Sequence, residues 1–535
     1  MKIASVQPKF SNNNSFKSKY TVRYTNIKGQ WQFKLKDKNR GIKLSTKKLS
    51  NVSDVLKVNA ENANKIFTSI KNSIMNSMDM TISRYFRARW DYDINQIPEN
   101  MIRLQQAAAQ YDIILNDKDV YARLLNLKHS NSNYLSDKNK KILNGMIETS
   151  SLNKKNSNCK DAVNLRMNLY NKSNSFVPLL DGKPVSYGEI ENIIESNSEK
   201  NKVVKAYSEV YKKGDLLAED LRNLVIERNK IAQEKGYSNY YDYVMEKSYG
   251  ITTSIIKDLI NQLSKVLNNA VIESKSFDLD IAPEDIIKLT KDTYKNMGFD
   301  IDEYIKSGKL TLDLLPRKNK SILSASYPIS PTSDTRILTN IGSNEAGCRT
   351  FFHELGHSLM FLNMIPENFF FGKENNLFNE AVATMMQHLP FKENIVSFPN
   401  KDSLLKYMFR ILRRIEFEIG MYENPNRDLK QLWHDLSVKY KYYDDKKELN
   451  NEWATVPHYI THPAYYQNYL RASIMSSQLY HYLTSKLGKL SENHKTAEFL
   501  KENVFKLYMS EDENNYMKKI TGKELSVEYL IRDLQ

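Results

Sequence analysis

Residues 350–360 read TFFHELGHSLM and contain the pattern His-Glu-x-x-His in an apolar run that favours an α-helix. Residues four apart on a helix lie on one face, so His353 and His357 can offer their imidazole nitrogens to a single metal ion. Glu354 projects beside them and is placed to act on a water rather than to bind the metal. Two neutral His ligands with an adjacent general base are what a metallopeptidase needs. The alternative is a solvent-facing helix with no metal.

A catalytic zinc ion usually takes three protein ligands, so a third must come from elsewhere in the chain. Residues 377–387, LFNEAVATMMQ, predict a second helix in which Glu380 is the only acid. An isolated Glu in such apolar surroundings needs a partner, and we predict Glu380 as the third ligand of one Zn2+. The alternative is an ordinary surface Glu. Cys348 is predicted to be a buried thiol rather than a ligand, because the two His already form the helical pair.

Further polar side chains lie in residues 456–470, VPHYITHPAYYQNYL. Peptide hydrolysis requires donors that stabilise the negative oxygen of the tetrahedral intermediate. Pro463 can begin a helix, which places Tyr466 and Tyr469 on one face. Their phenols, with an imidazole from His458 or His462, could meet a substrate carbonyl. A tyrosine-rich core is the alternative, since the chain contains 33 Tyr.

A small β element is predicted just before the His353 helix. Residues 321–327, SILSASY, alternate like a strand, residues 335–339, TRILT, form a partner, and the Pro/Ser/Thr-rich run between them indicates a loop. The edge of this antiparallel pair could hold an extended peptide through backbone hydrogen bonds. A purely structural hairpin is the alternative.

Composition predicts a mostly helical protein with a large core. The 535 residues include only 17 Gly and 14 Pro, and 41% are hydrophobic. These Gly and Pro contents are below the typical values of roughly 7% and 5%. No apolar run approaches the roughly 20 residues that span a bilayer. Two Cys cannot form a disulfide framework; they fit a reducing, cytoplasmic location or a secreted protein that does not rely on disulfides.

The net charge of +15 is concentrated at the start of the chain. Residues 1–48 contain thirteen Lys or Arg and one acid, which leaves only +3 on the remainder. The nearly balanced remainder gives no indication of a nucleic-acid partner. Residues 1–50 lack the apolar region of a secretory signal and are predicted to be a basic flexible tail, with an edge strand over residues 29–35 as the alternative. A targeting role for this tail, in export or delivery to an organelle, is the alternative to cytoplasmic location.

Taken in order, the residues resemble the angiotensin-converting-enzyme-like zinc peptidases, which are gluzincins, and more distantly thimet oligopeptidase and oligoendopeptidase F. The resemblance extends from about residue 85 to residue 485. Besides the His353 motif, it rests on Trp90-Asp91-Tyr92-Asp93, Arg228-Asn229, Ala232, Gly236-Tyr237, Asn239-Tyr240, Asn379-Glu380-Ala381 and Tyr465-Tyr466-Gln467-Asn468-Tyr469-Leu470.

This resemblance implies a helical clam of two lobes over residues 51–535, with a deep channel that admits short unfolded peptides and has zinc at its floor. The implied roles are zinc ligation by His353, His357 and Glu380, general base and acid catalysis by Glu354, and stabilisation of the oxyanion by Tyr469 with His458 or His462 and with Tyr466 nearby. The predicted function is therefore zinc-dependent hydrolysis of short peptides. A catalytically inactive, peptidase-like peptide-binding protein is the alternative.

Two positions depart from the family pattern. Thr384 stands one turn after the third ligand, where the converting-enzyme branch has a carboxylate that contacts a zinc-bound His. Residues 455–457, before His458, lack the Lys that binds the substrate's C-terminal carboxylate in members that release dipeptides. Internal cleavage by an oligopeptidase is therefore as well supported by the sequence as dipeptide release. The sequence indicates neither the natural substrate nor the oligomeric state.

Overall fold

The computed structural model describes residues 20–27, 30–37 and 63–535, the last range with gaps at 116–120, 122–123, 126–127, 129–134, 156–159, 186, 196–198, 271–280, 322, 343, 372–376, 398–399, 443–447 and 509–512. Over these residues the chain is mostly helical, as the composition predicts. None of the helices in the described ranges has the length and apolar character needed to cross a membrane.

The α-helices are numbered in chain order. They are α1 (Ala63–Ile94), α2 (Pro98–Leu115), α3 (Asp137–Lys155), α4 (Lys160–Ser175), α5 (Tyr187–Glu195), α6 (Lys200–Gln233), α7 (Tyr240–Val244), α8 (Thr253–Leu267), α9 (Pro283–Asn296), α10 (Ile301–Lys306), α11 (Glu345–Asn363), α12 (Pro366–Phe371), α13 (Leu377–Lys392), α14 (Asn400–Glu423), α15 (Leu429–Lys439), α16 (Pro457–Thr461), α17 (Tyr466–Leu487), α18 (Lys495–Phe499), α19 (Glu513–Thr521) and α20 (Glu528–Leu534).

The described strands form three small sheets. Two are antiparallel pairs, β1 (Tyr20–Ile27) with β2 (Gln30–Asp37) and β3 (Leu179–Leu180) with β4 (Lys183–Pro184). In the third, the order is β5-β7-β6, with β5 (Leu310–Asp313) parallel and β6 (Ala325–Ser330) antiparallel to β7 (Asp334–Leu338). The edge strand considered for residues 29–35 is present as β2. The prediction of a flexible tail for the rest of residues 1–50 lies outside the described residues.

The antiparallel pair predicted before the His353 helix is confirmed, with corrections to its bounds. Strand β6 begins at Ala325 rather than at residue 321. Strand β6 continues through Pro328 to Ser330, residues predicted to be loop, and only the turn at 331–333 separates it from β7. Pro328 is tolerated because β6 is an edge strand with a bulge between Pro328 and Ser330. Strand β5 was not predicted, because its pairing with β7 is parallel and joins segments that are distant in the sequence.

Two large hydrophobic clusters fill the protein. The first gathers side chains of α6, α8, α14 and α15 with the start of α17, including Leu221, Leu412 and Trp433. The second gathers α9, α11, α13 and the rest of α17, including Phe351 and Met385. Both α11 and α13 are buried on nearly all sides, which explains their continuous apolar sequences.

The crossing of α11 and α13 depends on a glycine inside the His353 motif. Helix α11 begins after Asn344, whose side chain accepts a hydrogen bond from the amide of Gly347. At Gly356, an added Cβ would lie 3.0 Å from the Cα of Ala383 on α13. Glycine therefore allows the two backbones to approach closely, and the predicted metal ligands on the two helices face one another.

Candidate metal centre

The three predicted ligands converge on one point between α11 and α13. The Nε2 atoms of His353 and His357 are 2.9 Å apart. Oε2 of Glu380 lies 3.6 Å from the first of these nitrogens and 3.8 Å from the second. One ligand atom from each of the three residues falls within 4.8 Å of the other two, in a group of the kind that can hold a metal ion.

The donor set fits a single zinc ion. Two ligand atoms about 2.0 Å from a tetrahedral zinc stand about 3.3 Å apart, close to the observed separations. Oε2 of Glu380 is buried and has no hydrogen-bond partner among the described residues, as expected of an oxygen that binds a cation. Burial and the adjacent His357 hold the pKa of His353 well below its usual range, which keeps the imidazole neutral and able to coordinate.

Asn379 contacts the ring of His357 on the side away from the other ligands. Its Oδ1 is 2.7 Å from Nδ1 of His357. A proton on Nδ1 donated to Asn379 leaves Nε2 free for the metal. The converting-enzyme branch has a carboxylate at the position of Thr384. In this chain the side-chain amide of Asn379, one residue before Glu380, makes the contact with the His instead. The sequence predicts no role for Asn379, because the contact depends on how α13 crosses α11.

The candidate third ligand, Glu380, has a partner for which the sequence predicts no role. Burial raises the pKa of Glu380, while the nearby His357 and a hydrogen bond from the Tyr465 hydroxyl oppose this shift. Tyr465 precedes α17, next to the predicted Tyr466. Its position in the Tyr465–Leu470 run was the only feature of the sequence that pointed to a role for Tyr465.

Glu354 is held against the edge strand β6. Oγ of Ser326 lies 2.9 Å from Oε2 of Glu354 and 2.7 Å from its backbone oxygen, and Ser358 donates to Ser326 over 3.2 Å. Burial raises the pKa of Glu354 to about 7, although His357 and Ser326 oppose the shift. The side chain is therefore fixed in orientation and able to change protonation near neutral pH.

The predicted donors of the C-terminal region separate into two groups. His458 packs against Tyr466 and Tyr469, with ring centroids 5.0 and 6.1 Å away. His462 is exposed and bonds the neighbouring Thr461 over 2.8 Å. The structure therefore brings His458, rather than His462, to Tyr466 and Tyr469. Tyr466 and Tyr469 contact each other with centroids 5.8 Å apart, although α17 begins at Tyr466 rather than at Pro463.

Both His458 and Tyr469 are held in their neutral forms. Burial, with the nearby His462 and Arg414, lowers the pKa of His458 to about 3. Burial raises the pKa of Tyr469 well above its usual range, and the charge of Glu380 adds to this effect. The second cause shows that Tyr469 lies near the third ligand. A neutral phenol and a neutral imidazole therefore stand side by side, and the phenol lies within range of the charge of Glu380.

Arg228 and Asn229, which are distant in the sequence, support the segment that carries His458. Arg228 donates to the backbone oxygens of Tyr459 and Ile460, over 2.7 and 2.6 Å. Asn229 donates to the backbone oxygen of Tyr422 and accepts from the amide of Tyr240. These contacts fix the segment that follows His458. They give a structural reason why Arg228 and Asn229 are among the residues that resemble the zinc-peptidase family.

The residues around Trp90 hold α1 onto β6. Trp90 meets the ring of Tyr327 edge-on, with centroids 5.5 Å apart. The Tyr327 hydroxyl donates to Asp93 over 2.8 Å. Successive residues of β6 therefore face in opposite directions, Ser326 toward Glu354 and Tyr327 toward α1.

Comparison with known proteins gives similarity in structure only. The sequence matches no protein-family model and no curated protein. Three solved structures are similar to this chain. The structure of CHT is 15% identical with a TM-score of 0.66, and the match covers 87% of this chain and 98% of that one. An M32 carboxypeptidase from Deinococcus radiodurans R1 is 14% identical (TM-score 0.64, coverage 87% and 97%), and Trypanosoma cruzi metallocarboxypeptidase 1 is 14% identical (TM-score 0.62, coverage 88% and 98%).

At these identities the comparison establishes the fold. The chain has the helical fold of the Deinococcus and Trypanosoma carboxypeptidases, and the similarity covers nearly all of each of those chains. The prediction of a mostly helical protein with a small β element beside the His353 helix is confirmed. The finer resemblance to converting enzymes and to thimet oligopeptidase stays a prediction.

Proposed function

We propose that this protein is a zinc-dependent peptidase that hydrolyses short, unfolded peptides. The observation that carries the proposal is the convergence of His353, His357 and Glu380 within 4.8 Å, with Glu354 directly after His353 on the same helix. A peptide-binding protein has no need of a complete set of ligands, base and oxyanion donors. The fold shared with two proteins named carboxypeptidases supports the same conclusion and favours removal of residues from the C-terminus.

Zinc held by these three side chains would supply Lewis-acid chemistry, acidifying a water and polarising the scissile carbonyl. Glu354 accepts a proton from the attacking water and then delivers it to the leaving nitrogen, as the carbon–nitrogen bond breaks. A pKa of about 7 suits both steps, because the group must first accept and then give up the proton. Ser326 keeps the carboxylate directed into the site.

Tyr469 and His458 are proposed to donate hydrogen bonds to the carbonyl oxygen as it becomes negative. Both groups are neutral, and both are partly buried, so their dipoles are only partly screened by water. Nδ1 of His458 has no hydrogen-bond partner among the described residues and is available for this or a supporting contact. Tyr466 packs against both rings and holds them in place.

Strand β6 is proposed to align the substrate. One of its edges pairs with β7, and no strand in the described part of the chain pairs with the other. An extended peptide on that edge gains backbone hydrogen bonds without a requirement for particular side chains. Because Ser326 belongs to β6, a peptide placed there lies beside Glu354.

The test compares purified wild type with Glu354→Gln on peptides of roughly 5–15 residues, a length suited to a narrow site. Products are identified by mass spectrometry, and zinc content is measured in both proteins. We expect cleavage by the wild type and none by the variant, at equal zinc content. Absence of cleavage by a zinc-saturated wild type would refute the proposal and favour the inactive, peptide-binding alternative.

A further inference from the structure

A buried carboxyl group lies behind the segment that joins α16 to α17. Glu418 of α14 is only 1% exposed, and its Oε1 accepts a hydrogen bond from the backbone amide of Ala464 over 2.8 Å. Its second oxygen, Oε2, is buried and has no hydrogen-bond partner in the part of the chain that the structure describes. Burying a carboxyl group costs free energy, so packing alone does not explain Glu418.

Ala464 has an unusual backbone conformation. Its φ angle is 59°, in the left-handed region that residues other than Gly rarely adopt. Such a conformation persists only where the surrounding structure imposes it. The hydrogen bond to Glu418 fixes the peptide plane before Ala464, and α17, which begins at Tyr466, fixes the chain after it. The left-handed turn is therefore held between two buried anchors.

The residue after Ala464 reaches the candidate metal centre. The hydroxyl of Tyr465 donates a hydrogen bond to Glu380, the predicted third ligand. The ring of Tyr465 lies 5.2 Å from that of His458 and 5.4 Å from that of Tyr469, measured between centroids. A rotation of the backbone at Ala464 moves Tyr465 before any other side chain of the site, because the two residues are adjacent.

We propose that Glu418 is a positioning residue, which acts through Ala464 to place the Tyr465 hydroxyl on Glu380. The inference rests on the proposed function, because it assigns a support to a ligand of the same site. A hydroxyl that donates to a carboxylate ligand sets the orientation of that ligand and tunes its affinity for the metal. Glu418 fixes the backbone, the backbone fixes the phenol, and the phenol orients the carboxylate.

The protonation of Glu418 makes Gln a close substitute for it. Burial raises the pKa of Glu418 to about 8, although the hydrogen bond from Ala464 and the charge of Arg228 oppose the shift. At neutral pH the group is therefore mostly an uncharged acid. Glu418→Gln keeps the length, the lack of charge and the oxygen that accepts from Ala464. Glu418→Leu keeps the volume approximately and removes the acceptor.

The test is competition for zinc between each apoprotein and a chelator of known affinity, which requires no cleavage of peptides. Tyr465→Phe should raise the zinc Kd about 10-fold to 100-fold, the range for loss of a contact that supports a ligand. Glu418→Leu should raise it by a similar factor, whereas Glu418→Gln should stay within about twofold of the wild type. The double variant of Glu418→Leu and Tyr465→Phe should bind zinc no more weakly than Tyr465→Phe alone, because no hydroxyl is left to position.

Glu393→Leu is the matched control. Glu393 is also buried and also accepts from backbone amides, those of Leu490 and Ser491, over 2.9 and 2.8 Å. It follows Glu380 by thirteen residues, about 20 Å along a helix. Glu393→Leu should destabilise the fold as Glu418→Leu does, yet leave the zinc Kd unchanged.

The backbone is measured directly by hydrogen–deuterium exchange of residues 459–466, read by mass spectrometry. Exchange should be faster than wild type in Glu418→Leu and equal to wild type in Glu418→Gln. If Glu418→Leu fails to fold, Glu418→Asp replaces it, because Asp keeps the acid but withdraws the acceptor by one methylene. We expect the same direction of change in exchange and in zinc Kd.

Three results would overturn the assignment. A wild-type zinc Kd in Glu418→Leu shows that the carboxyl group does not act on the ligand. Effects of Glu418→Leu and Tyr465→Phe that multiply in the double variant show that the two residues act independently. An equal rise of the zinc Kd in Glu393→Leu indicates a general effect of a weakened core. A wild type that binds zinc and cleaves no peptide refutes the peptidase proposal alone, because the comparison of zinc Kd values does not depend on cleavage.

Discussion

Replacing Asn379 by Leu should weaken zinc binding without removing a ligand. The side chain is buried, and its Oδ1 is the acceptor 2.7 Å from Nδ1 of His357. Leucine has a similar size but no acceptor, so the Nδ1 proton loses its partner or moves to Nε2, the atom that binds the metal. An unsatisfied buried donor costs about 1–3 kcal/mol. The zinc Kd should therefore rise about 10-fold to 100-fold, the range found when such supporting contacts are removed.

The assay is competition for zinc between the apoprotein and a chelator of known affinity. Asn379→Asp keeps an acceptor and adds negative charge, so it should bind zinc at least as tightly as the wild type. Thr384→Val is the matched control on the same helix, because Thr384 is buried but no contact with a ligand is assigned to it. A zinc Kd for Asn379→Leu within twofold of the wild type would refute the reasoning.

Three further outcomes are expected. Tyr469→Phe should lower kcat about 10²- to 10³-fold at unchanged zinc content, and a wild-type kcat would exclude the phenol as an oxyanion donor. Gly356→Ala should lower the free energy of unfolding by about 1–3 kcal/mol, measured in denaturant, because its Cβ meets the backbone of α13. Burial raises the pKa of Asp533, but His481 and Lys392 together lower it to about 2, below the usual 3.8. Asp533 therefore stabilises the fold above about pH 4, by about 2 kcal/mol, and this contribution is lost as the pH falls toward 2. The difference in unfolding free energy between wild type and Asp533→Asn should shrink over that interval, and a difference independent of pH would contradict this.

The candidate metal ligands could be predicted from the sequence because their signals are local. His353 and His357 are placed together by the repeat of a single helix, and Glu380 is conspicuous as the only acid in an apolar helix. Their supporting partners could not be predicted in the same way. Asn379 reaches His357 only because α13 crosses α11 closely, and Ser326 reaches Glu354 only because an edge strand lies beside α11.

The fold follows the same division between local and distant interactions. The antiparallel pair β6–β7 is joined by a short turn and follows from alternation in adjacent segments. Strand β5 pairs in parallel with β7, and a parallel partner leaves no signal in the neighbouring sequence. The choice between His458 and His462 was also open, because they lie only four residues apart, within and directly after the short helix α16, and only packing shows which ring meets Tyr469.

The alternation of β6 makes one strand serve two neighbours at once. Ser326 faces Glu354, and Tyr327 faces Asp93 and Trp90 of α1. A one-residue insertion within the strand would exchange the two faces, taking the hydroxyl from the carboxylate and the phenol from α1 in a single event. Changes of length are therefore tolerable in the turn at 331–333 but not in the strand, so sequence variation in this hairpin should be confined to its tip.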